Sequence, residues 1–90
     1  MNKEKIEKNV LTDERTKIDG IDRELVRLFC ERLASVAAIG EYKKEHGLPV
    51  RDEKREKEHT ETLCALCPEH KQEIASLFET VYRISRDSEK

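Results

Sequence analysis

Apolar residues in the first half of the chain recur three and four positions apart, which is the spacing of one face of an α-helix. This stripe consists of Ile18, Ile21, Leu25, Leu28, Phe29, Val36 and Ile39, and it covers an arc of about 100° on a helical wheel. The pattern predicts a first helix that begins at about Thr12 or earlier and ends at His46. Gly47 is a typical residue just after a helix C-terminus, and Pro49 prevents the helix from resuming.

Two shorter helices are predicted in the second half of the chain. The second helix begins near Arg51 or Asp52, because acidic residues fill its first turn. It ends around Leu66 or Cys67, and Pro68 marks the start of a third helix that runs to the C-terminus. The apolar stripe of the third helix is Ile74, Leu77, Phe78, Val81 and Ile84. Since no strand pattern occurs, the predicted fold class is all-α, with one long, one short and one medium helix.

The composition indicates that one chain cannot cover its own long helix. Of the 90 residues, 36% are hydrophobic and 42% are charged, so little apolar surface is available for a core. The other two helices are too short to cover all of the first, and oligomerisation is the usual remedy. We therefore expect a single domain, residues 1–90, with residues 1–11 as an N-terminal extension, in an intertwined homodimeric helical bundle.

The charge distribution excludes several classes of partner. The net charge is −2, and 18 basic and 20 acidic residues are interleaved, which gives no basic footprint for nucleic acid. No apolar run approaches the ~20 residues of a membrane span, and no hydrophobic segment follows the charged N-terminus. The sequence predicts a soluble, cytoplasmic protein that binds neither nucleic acid nor a membrane.

The three cysteines are expected to be free thiols, because three cannot all pair within one chain. Cys64 and Cys67, with His59 and His70 nearby, have the types and spacing of zinc ligands. No second Cys-x-x-Cys pair is present, and Pro68 interrupts the segment. We therefore expect that no metal binds to this segment.

Two cations interrupt the apolar stripe of the first helix. Arg32 and Lys43 lie near its middle, about 20° apart on the wheel. A charge at such a position is costly unless it is paired and hydrogen-bonded, so the pattern indicates a cavity for a small acid with two or more anionic groups. The alternative is a purely structural role, in which the aliphatic parts of both side chains are buried and their charged groups reach water or a glutamate on a neighbouring helix.

The second helix has almost no apolar face. No residue from Arg51 to Thr62 is apolar, which is typical of a solvated helix with many ion pairs. The alternative is that Asp52, Arg55 and Glu56 form one wall of a polar site.

The order and spacing of these residues resemble the all-helical chorismate mutases of bacteria over nearly the whole chain, from about Arg15 to Glu89. The resemblance is carried by Arg15, Glu31-Arg32, Lys43, Pro49-Val50-Arg51-Asp52, Arg55-Glu56, Leu77-Phe78 and Ser85. It implies a homodimer of three-helix protomers that rearranges chorismate to prephenate, a step towards phenylalanine and tyrosine. Such a rearrangement needs no nucleophile, metal or redox cofactor, and the sequence offers no convincing constellation for any of them.

The resemblance also implies roles for the cations. Arg32 and Arg15 would bind the substrate carboxylates, with Arg15 reaching in from the partner subunit, and Lys43 would contact the ether oxygen and a carboxylate. Fixed cations suit this reaction, because the dianion must be held in a compact shape while negative charge gathers at the breaking C–O bond.

Further roles are implied for the second and third helices. Asp52 and Glu56 would hold the ring hydroxyl, and Arg55 would position the anion or its acidic neighbours. Ser85 would help to bind a substrate carboxylate. Glu89 occupies the position whose side chain contacts the ether oxygen in that family. Many bacterial members have glutamine where this chain has Glu89, so its carboxyl must be protonated to donate there. We expect kcat/KM to fall as the pH rises, and Glu89→Gln to flatten that profile.

Two other functions remain open at this point. An isochorismate pyruvate lyase resembles the mutases in its fold and its cationic site, but it eliminates pyruvate from a related acid. A non-catalytic helical dimer would use Arg32 and Lys43 only to fix the register of its helices. In that case, replacing these cations would change dimer stability without abolishing the binding of any ligand.

Overall fold

A computed structural model describes residues 3–89 of the chain and the side chains of residues 9–89. It consists of α1 (Lys3–Glu45), α2 (Glu53–Leu66), a short 3₁₀ turn (Pro68–His70) and α3 (Lys71–Glu89). The all-α fold class is confirmed, and no strand occurs in residues 3–89. None of the helices described is long and apolar enough to cross a membrane. The chain divides into two units, Met1–Arg32 and Leu33–Lys90.

α1 ends at Glu45, one residue before the predicted end, and a glycine terminates it. Gly47 has a φ of +62°, in the left-handed region that glycine adopts at little cost. The amide of Leu48 then donates to the carbonyl of Lys43 at 2.8 Å, which satisfies a carbonyl group in the last turn of the helix. This reversal leads the chain directly towards α2.

α2 begins at Glu53 because the preceding residue caps it. The carboxylate of Asp52 accepts a hydrogen bond from the amide of Arg55 at 3.0 Å, as a helix N-cap does. The helix ends at Leu66, as the sequence predicts.

α3 begins later than the sequence predicts. Pro68–His70 forms a 3₁₀ turn, and the α-helix starts only at Lys71. The amide of His70 donates to the carbonyl of Cys67 at 3.0 Å, three residues earlier, which is the 3₁₀ pattern. The proline therefore starts a tighter helical turn, and α3 follows from it.

The first unit, Met1–Arg32, carries an apolar stripe that is largely exposed. Four residues of the stripe, Ile18, Ile21, Leu25 and Leu28, are 50–58% exposed, and Phe29 is half-buried. Val10 and Leu11, earlier on the same helix, are 56% and 50% exposed. Helices gain most of their stability in proteins from burying such a face. A contiguous exposed stripe of this kind is typical of a surface that another chain covers.

Among residues 9–89, the buried ones all lie in the second unit, Leu33–Lys90. They are Val36, Gly40, Cys64, Val81, Tyr82, Ser85 and Glu89. α2 and α3 are joined by a hydrogen bond of 3.2 Å between Thr60 Oγ1 and Tyr82 Oη. The rings of His59, Phe78 and Tyr82 pack beside it, with centroids 5.9–6.3 Å apart. Two of the buried side chains, Ser85 and Glu89, are polar, and this marks the C-terminal end of α3 as a place where polar groups converge.

Gly40 allows the end of α1 to approach the end of α3 closely. A Cβ atom at this position would lie 3.0 Å from Cα of Glu89 and 3.1 Å from its carbonyl oxygen. Both are backbone atoms, which cannot rotate away. Glycine is therefore needed here for a close approach, and not for its freedom of φ and ψ.

Gly40→Ala should lower the free energy of unfolding by about 1–3 kcal/mol, because the added methyl group overpacks this contact. Gly20→Ala is the matched control: a Cβ there meets no atom within 4 Å, and alanine should stabilise the helix by up to about 1 kcal/mol. Urea denaturation at one fixed protein concentration measures both variants. Equal changes in the two variants would show that the contact at Gly40 tolerates a side chain.

Candidate active site

Lys43 and Glu89 form an ion pair in the second unit. Lys43 lies in the last turn of α1, and Glu89 is the last residue of α3. Nζ of Lys43 donates to Oε1 of Glu89 at 2.7 Å and to the carbonyl oxygen of Val50 at 2.7 Å. The Lys43 and Glu89 side chains are 19% and 7% exposed, so both charges are largely removed from water. The fold thus joins two predicted site residues that are 46 positions apart in the chain.

The contacts of Lys43 leave it able to bind an additional acceptor. An ammonium group has three N–H donors, and the contacts among residues 3–89 use two of them. The carbonyl of Val50 and the carboxylate of Glu89 hold the ammonium group from two directions, which restricts the rotamers of a long side chain. The arrangement therefore supplies a fixed positive charge with one remaining donor, which suits an anionic oxygen.

Ser85 lies on the same face of α3 as Glu89, one turn earlier. It is buried, and its hydroxyl donates to the carbonyl of Val81 at 2.7 Å. A serine oxygen that donates in this way still has lone pairs and accepts further hydrogen bonds. Ser85 and Glu89 therefore form a polar strip on a helix face that is otherwise apolar.

Glu56 forms a second ion pair, with Arg86 of α3. Nη1 of Arg86 lies 2.9 Å from Oε1 and 2.8 Å from Oε2 of the carboxylate. Nε of Arg51 adds a longer ion pair, at 3.7 Å from Oε1. The Glu56 side chain is only 19% exposed although the surrounding helix has no apolar residue before Leu63. These residues line an open groove of about 750 Å³ between α2 and α3, together with Thr60, Tyr82 and other residues.

Arg86 was not among the residues that the sequence singled out. It lies beside the apolar stripe of α3 rather than on it, about 100° around the helix from Ser85. The signal that could have identified it is Glu56 itself. A carboxylate that faces a neighbouring helix needs a cation on that helix, and Arg83 and Arg86 were the arginines that α3 could offer.

Asp52 and Arg55 are both exposed at the start of α2. The oxygen of Asp52 that caps the helix accepts from the backbone amide of Arg55, so this contact does not involve the guanidinium group. Helix capping accounts for an aspartate here without any ligand. The roles of both side chains in binding stay predictions.

Arg15 and Arg32 belong to the first unit, Met1–Arg32. Arg15 is exposed and Arg32 is half-buried. Arg15 is predicted to act in the site of a partner subunit, so its exposure in one chain neither supports nor opposes that role. Their roles also stay predictions.

Cys64, in the last turn of α2, and Cys67, just after it, are engaged in local hydrogen bonds. The thiol of Cys67 donates to the carboxylate of Glu69 at 3.1 Å, and this contact raises the pKa of Cys67. The pKa of Glu69 is lowered, chiefly by a hydrogen bond from its own backbone amide and then by Cys67. Cys64 donates to the carbonyl of Lys71 at 3.4 Å. A raised pKa disfavours the thiolate, which is the form that attacks electrophiles and binds metals.

Lys43→Met should lower the free energy of unfolding by about 2–3 kcal/mol, because Glu89 is left buried without its cation. Lys43→Met/Glu89→Leu should recover most of this loss, since no charge then remains buried. Lys17→Met is the matched control on the same helix: its pair with Glu14 is exposed, and losing it should cost less than about 1 kcal/mol. Urea denaturation measures all three, and a double variant as unstable as Lys43→Met would contradict the pairing argument.

Parts of this chain are similar in sequence to known proteins. The 46 residues that match the T-protein of Haemophilus influenzae are 48% identical and cover 51% of this chain and 12% of that protein. The 60 residues that match the chorismate mutase of Methanocaldococcus jannaschii are 38% identical and cover 67% of this chain and 61% of that protein. The chain therefore covers only part of the length of these relatives. No solved structure gives a significant match.

A family model described as chorismate mutase type II matches residues 14–90, and these residues include both ion pairs described above. Because the match covers most of the sequence, the chain belongs to the chorismate mutase type II family.

Proposed function

We propose that this protein catalyses the rearrangement of chorismate to prephenate. The observation that carries the proposal is the half-buried Lys43, which is fixed by Glu89 and the Val50 carbonyl and has a donor left for an anionic oxygen. Membership of the chorismate mutase type II family supports the same substrate. The reaction moves electrons within one molecule, so the protein's task is to hold the substrate and stabilise charge.

In the proposed mechanism, Lys43 stabilises the transition state at the ether oxygen. Negative charge grows on this oxygen as the C–O bond breaks, and a preorganised cation in a largely dry site stabilises it more strongly than water does. Arg32, and Arg15 from the partner subunit, bind the two carboxylates and hold the dianion in its compact reactive shape. Ser85 adds a hydrogen bond to one carboxylate, for which its hydroxyl turns from the Val81 carbonyl to the substrate.

Glu89 is the second proposed catalytic residue. In its protonated form it donates a hydrogen bond to the ether oxygen, beside the ammonium group of Lys43. The ion pair with Lys43 is the resting arrangement, and a bound dianion competes with the Glu89 carboxylate for that cation.

The substrate's ring hydroxyl is assigned to the start of α2. Glu56 accepts its hydrogen bond, and Asp52, the N-cap of the same helix, lies one turn earlier. Arg55 contributes positive charge at this end of the site.

We further propose that the active protein is a homodimer in which the long helices pack together. The support is the apolar stripe of α1, in which Ile18, Ile21, Leu25, Leu28 and Ile39 are 49–58% exposed in one chain. A two-fold partner that presents the same stripe would cover it. This arrangement also brings Arg15 of each chain to the site of the other.

A cytoplasmic location remains a prediction from the sequence. The three cysteines are free, and the reducing cytoplasm is where unpaired thiols persist.

The purified protein should convert chorismate to prephenate, with a higher kcat/KM at about pH 5 than at about pH 8, because Glu89 donates only when protonated. Glu89→Gln should remove this pH dependence, since an amide donates at both pH values. Loss of chorismate absorbance, with the product identified by chromatography, measures both effects.

Glu73→Gln is the control for this experiment, because Glu73 is an exposed acid on the same helix. It should keep the pH dependence of the unaltered protein. An unchanged profile in Glu89→Gln would remove Glu89 from the mechanism. Release of pyruvate from isochorismate, with no prephenate from chorismate, would identify a lyase instead.

Arg15→Ala and Lys43→Gln should each be nearly inactive, but a mixture that is unfolded and refolded together should regain about a quarter of normal activity. Half of the dimers are then mixed, and each mixed dimer contains one intact site. Arg32→Gln refolded with Lys43→Gln is the control: both residues belong to the site of their own chain, so no activity should return. Mixed dimers without activity in the first experiment would contradict the shared site.

A further inference from the structure

Arg86 holds the Glu56 carboxylate through one nitrogen atom. Because Nη1 lies 2.9 Å from one oxygen and 2.8 Å from the other, the contact uses about one lone pair on each oxygen. Arg51 is 3.7 Å away, which is too far for a hydrogen bond, so it contributes charge only. Each oxygen of Glu56 therefore keeps the capacity to accept a hydrogen bond from a ligand.

Arg86 also removes a charge conflict. A bare carboxylate at Glu56 would repel a ligand that carries two negative charges. A guanidinium group stays protonated at all relevant pH values, so the pair with Arg86 has no net charge. Glu56 can then accept a hydrogen bond from a hydroxyl without adding net negative charge to the site.

The backbone on both sides of this pair is held in place. Thr60 Oγ1 lies 2.8 Å from the carbonyl oxygen of Glu56 and 3.2 Å from Oη of Tyr82, which is one turn before Arg86 on α3. Tyr82 is buried and Thr60 is half-buried, so this link between the helices is partly shielded from water. Both ends of the ion pair therefore start from fixed positions, and the orientation of the Glu56 carboxylate depends on Arg86.

We propose that Arg86 is a positioning residue, which orients Glu56 to accept the hydrogen bond of the substrate's ring hydroxyl and so favours a hydroxylated ring. This inference rests on the proposed function, because Glu56 is the group that would touch the substrate. Arg86 acts through Glu56 and does not itself contact the reacting atoms.

The test compares two ligands that differ only in the ring hydroxyl. For Arg86→Gln, kcat/KM with chorismate should fall roughly tenfold, the size of one well-placed hydrogen bond. The inhibition constant of the analogue with hydrogen in place of that hydroxyl should rise by a clearly smaller factor, about two- to threefold, because the analogue shares the repulsion from the bare Glu56 carboxylate but makes no contact that Glu56 orients. Arg83→Gln is the matched control, since Arg83 is an exposed arginine on the same helix, and it should leave both values unchanged.

A structural role, or direct contact of Arg86 with a substrate carboxylate, would weaken both ligands equally, and that result would overturn the proposal. So would an Arg86→Gln enzyme that behaves like the unaltered one. In a Glu56→Gln background, Arg86→Gln should cause no further loss, because the group it orients is already altered. A further tenfold loss in that background would also overturn it.

Arg86→Lys is the second variant, for use if circular dichroism shows that Arg86→Gln does not fold. Since one nitrogen makes the contact, lysine should keep the preference for the hydroxylated ligand within about threefold of normal. A folded lysine variant that has lost this preference would overturn the account. If the unaltered protein does not convert chorismate, both the proposed function and the role of Arg86 are wrong. If it converts chorismate but Arg86→Gln shows no effect that depends on the ring hydroxyl, only the role of Arg86 is wrong.

Discussion

The ion pair between Lys43 and Glu89 constrains how the second unit is built. A carboxylate that is 7% exposed is stable only while its cation stays with it, so the ends of α1 and α3 must remain together. Gly40 permits that proximity, because no side chain stands between its helix and the backbone of Glu89. The Lys43 charge, which we assign to catalysis, is therefore held in place because the fold needs it for stability as well as for substrate binding.

Much of the fold could be read from the sequence. Helical periodicity predicted α1 and α3, and Gly47 marked the end of α1. The acidic residues of its first turn placed the start of α2 near Arg51 or Asp52, and the structure has Asp52 as its N-cap. The start of α3 was misplaced, because a proline is equally compatible with the first turn of an α-helix and with a 3₁₀ turn. Only the hydrogen bonds of the folded chain distinguish these two kinds of turn.

The site could be predicted only in part. Lys43 was conspicuous because a cation interrupted an apolar stripe, and the structure places it beside Glu89. Arg86 was missed because a single sequence shows periodicity along each helix but not which faces of two helices meet. The pairing of Glu56 with Arg86 depends on the packing of α2 against α3, and no spacing within either helix encodes it.

The carbonyl of Val50 has a consequence for the connection between α1 and α2. Connections between helices usually tolerate changes in length, because their backbone faces water. Here a peptide oxygen of the connection is a ligand of Lys43, 2.7 Å from its ammonium group. An inserted or deleted residue after Gly47 would displace that oxygen even if both helices formed normally. The segment is therefore a poor place for grafting, tagging or circular permutation, although it is short and near the surface.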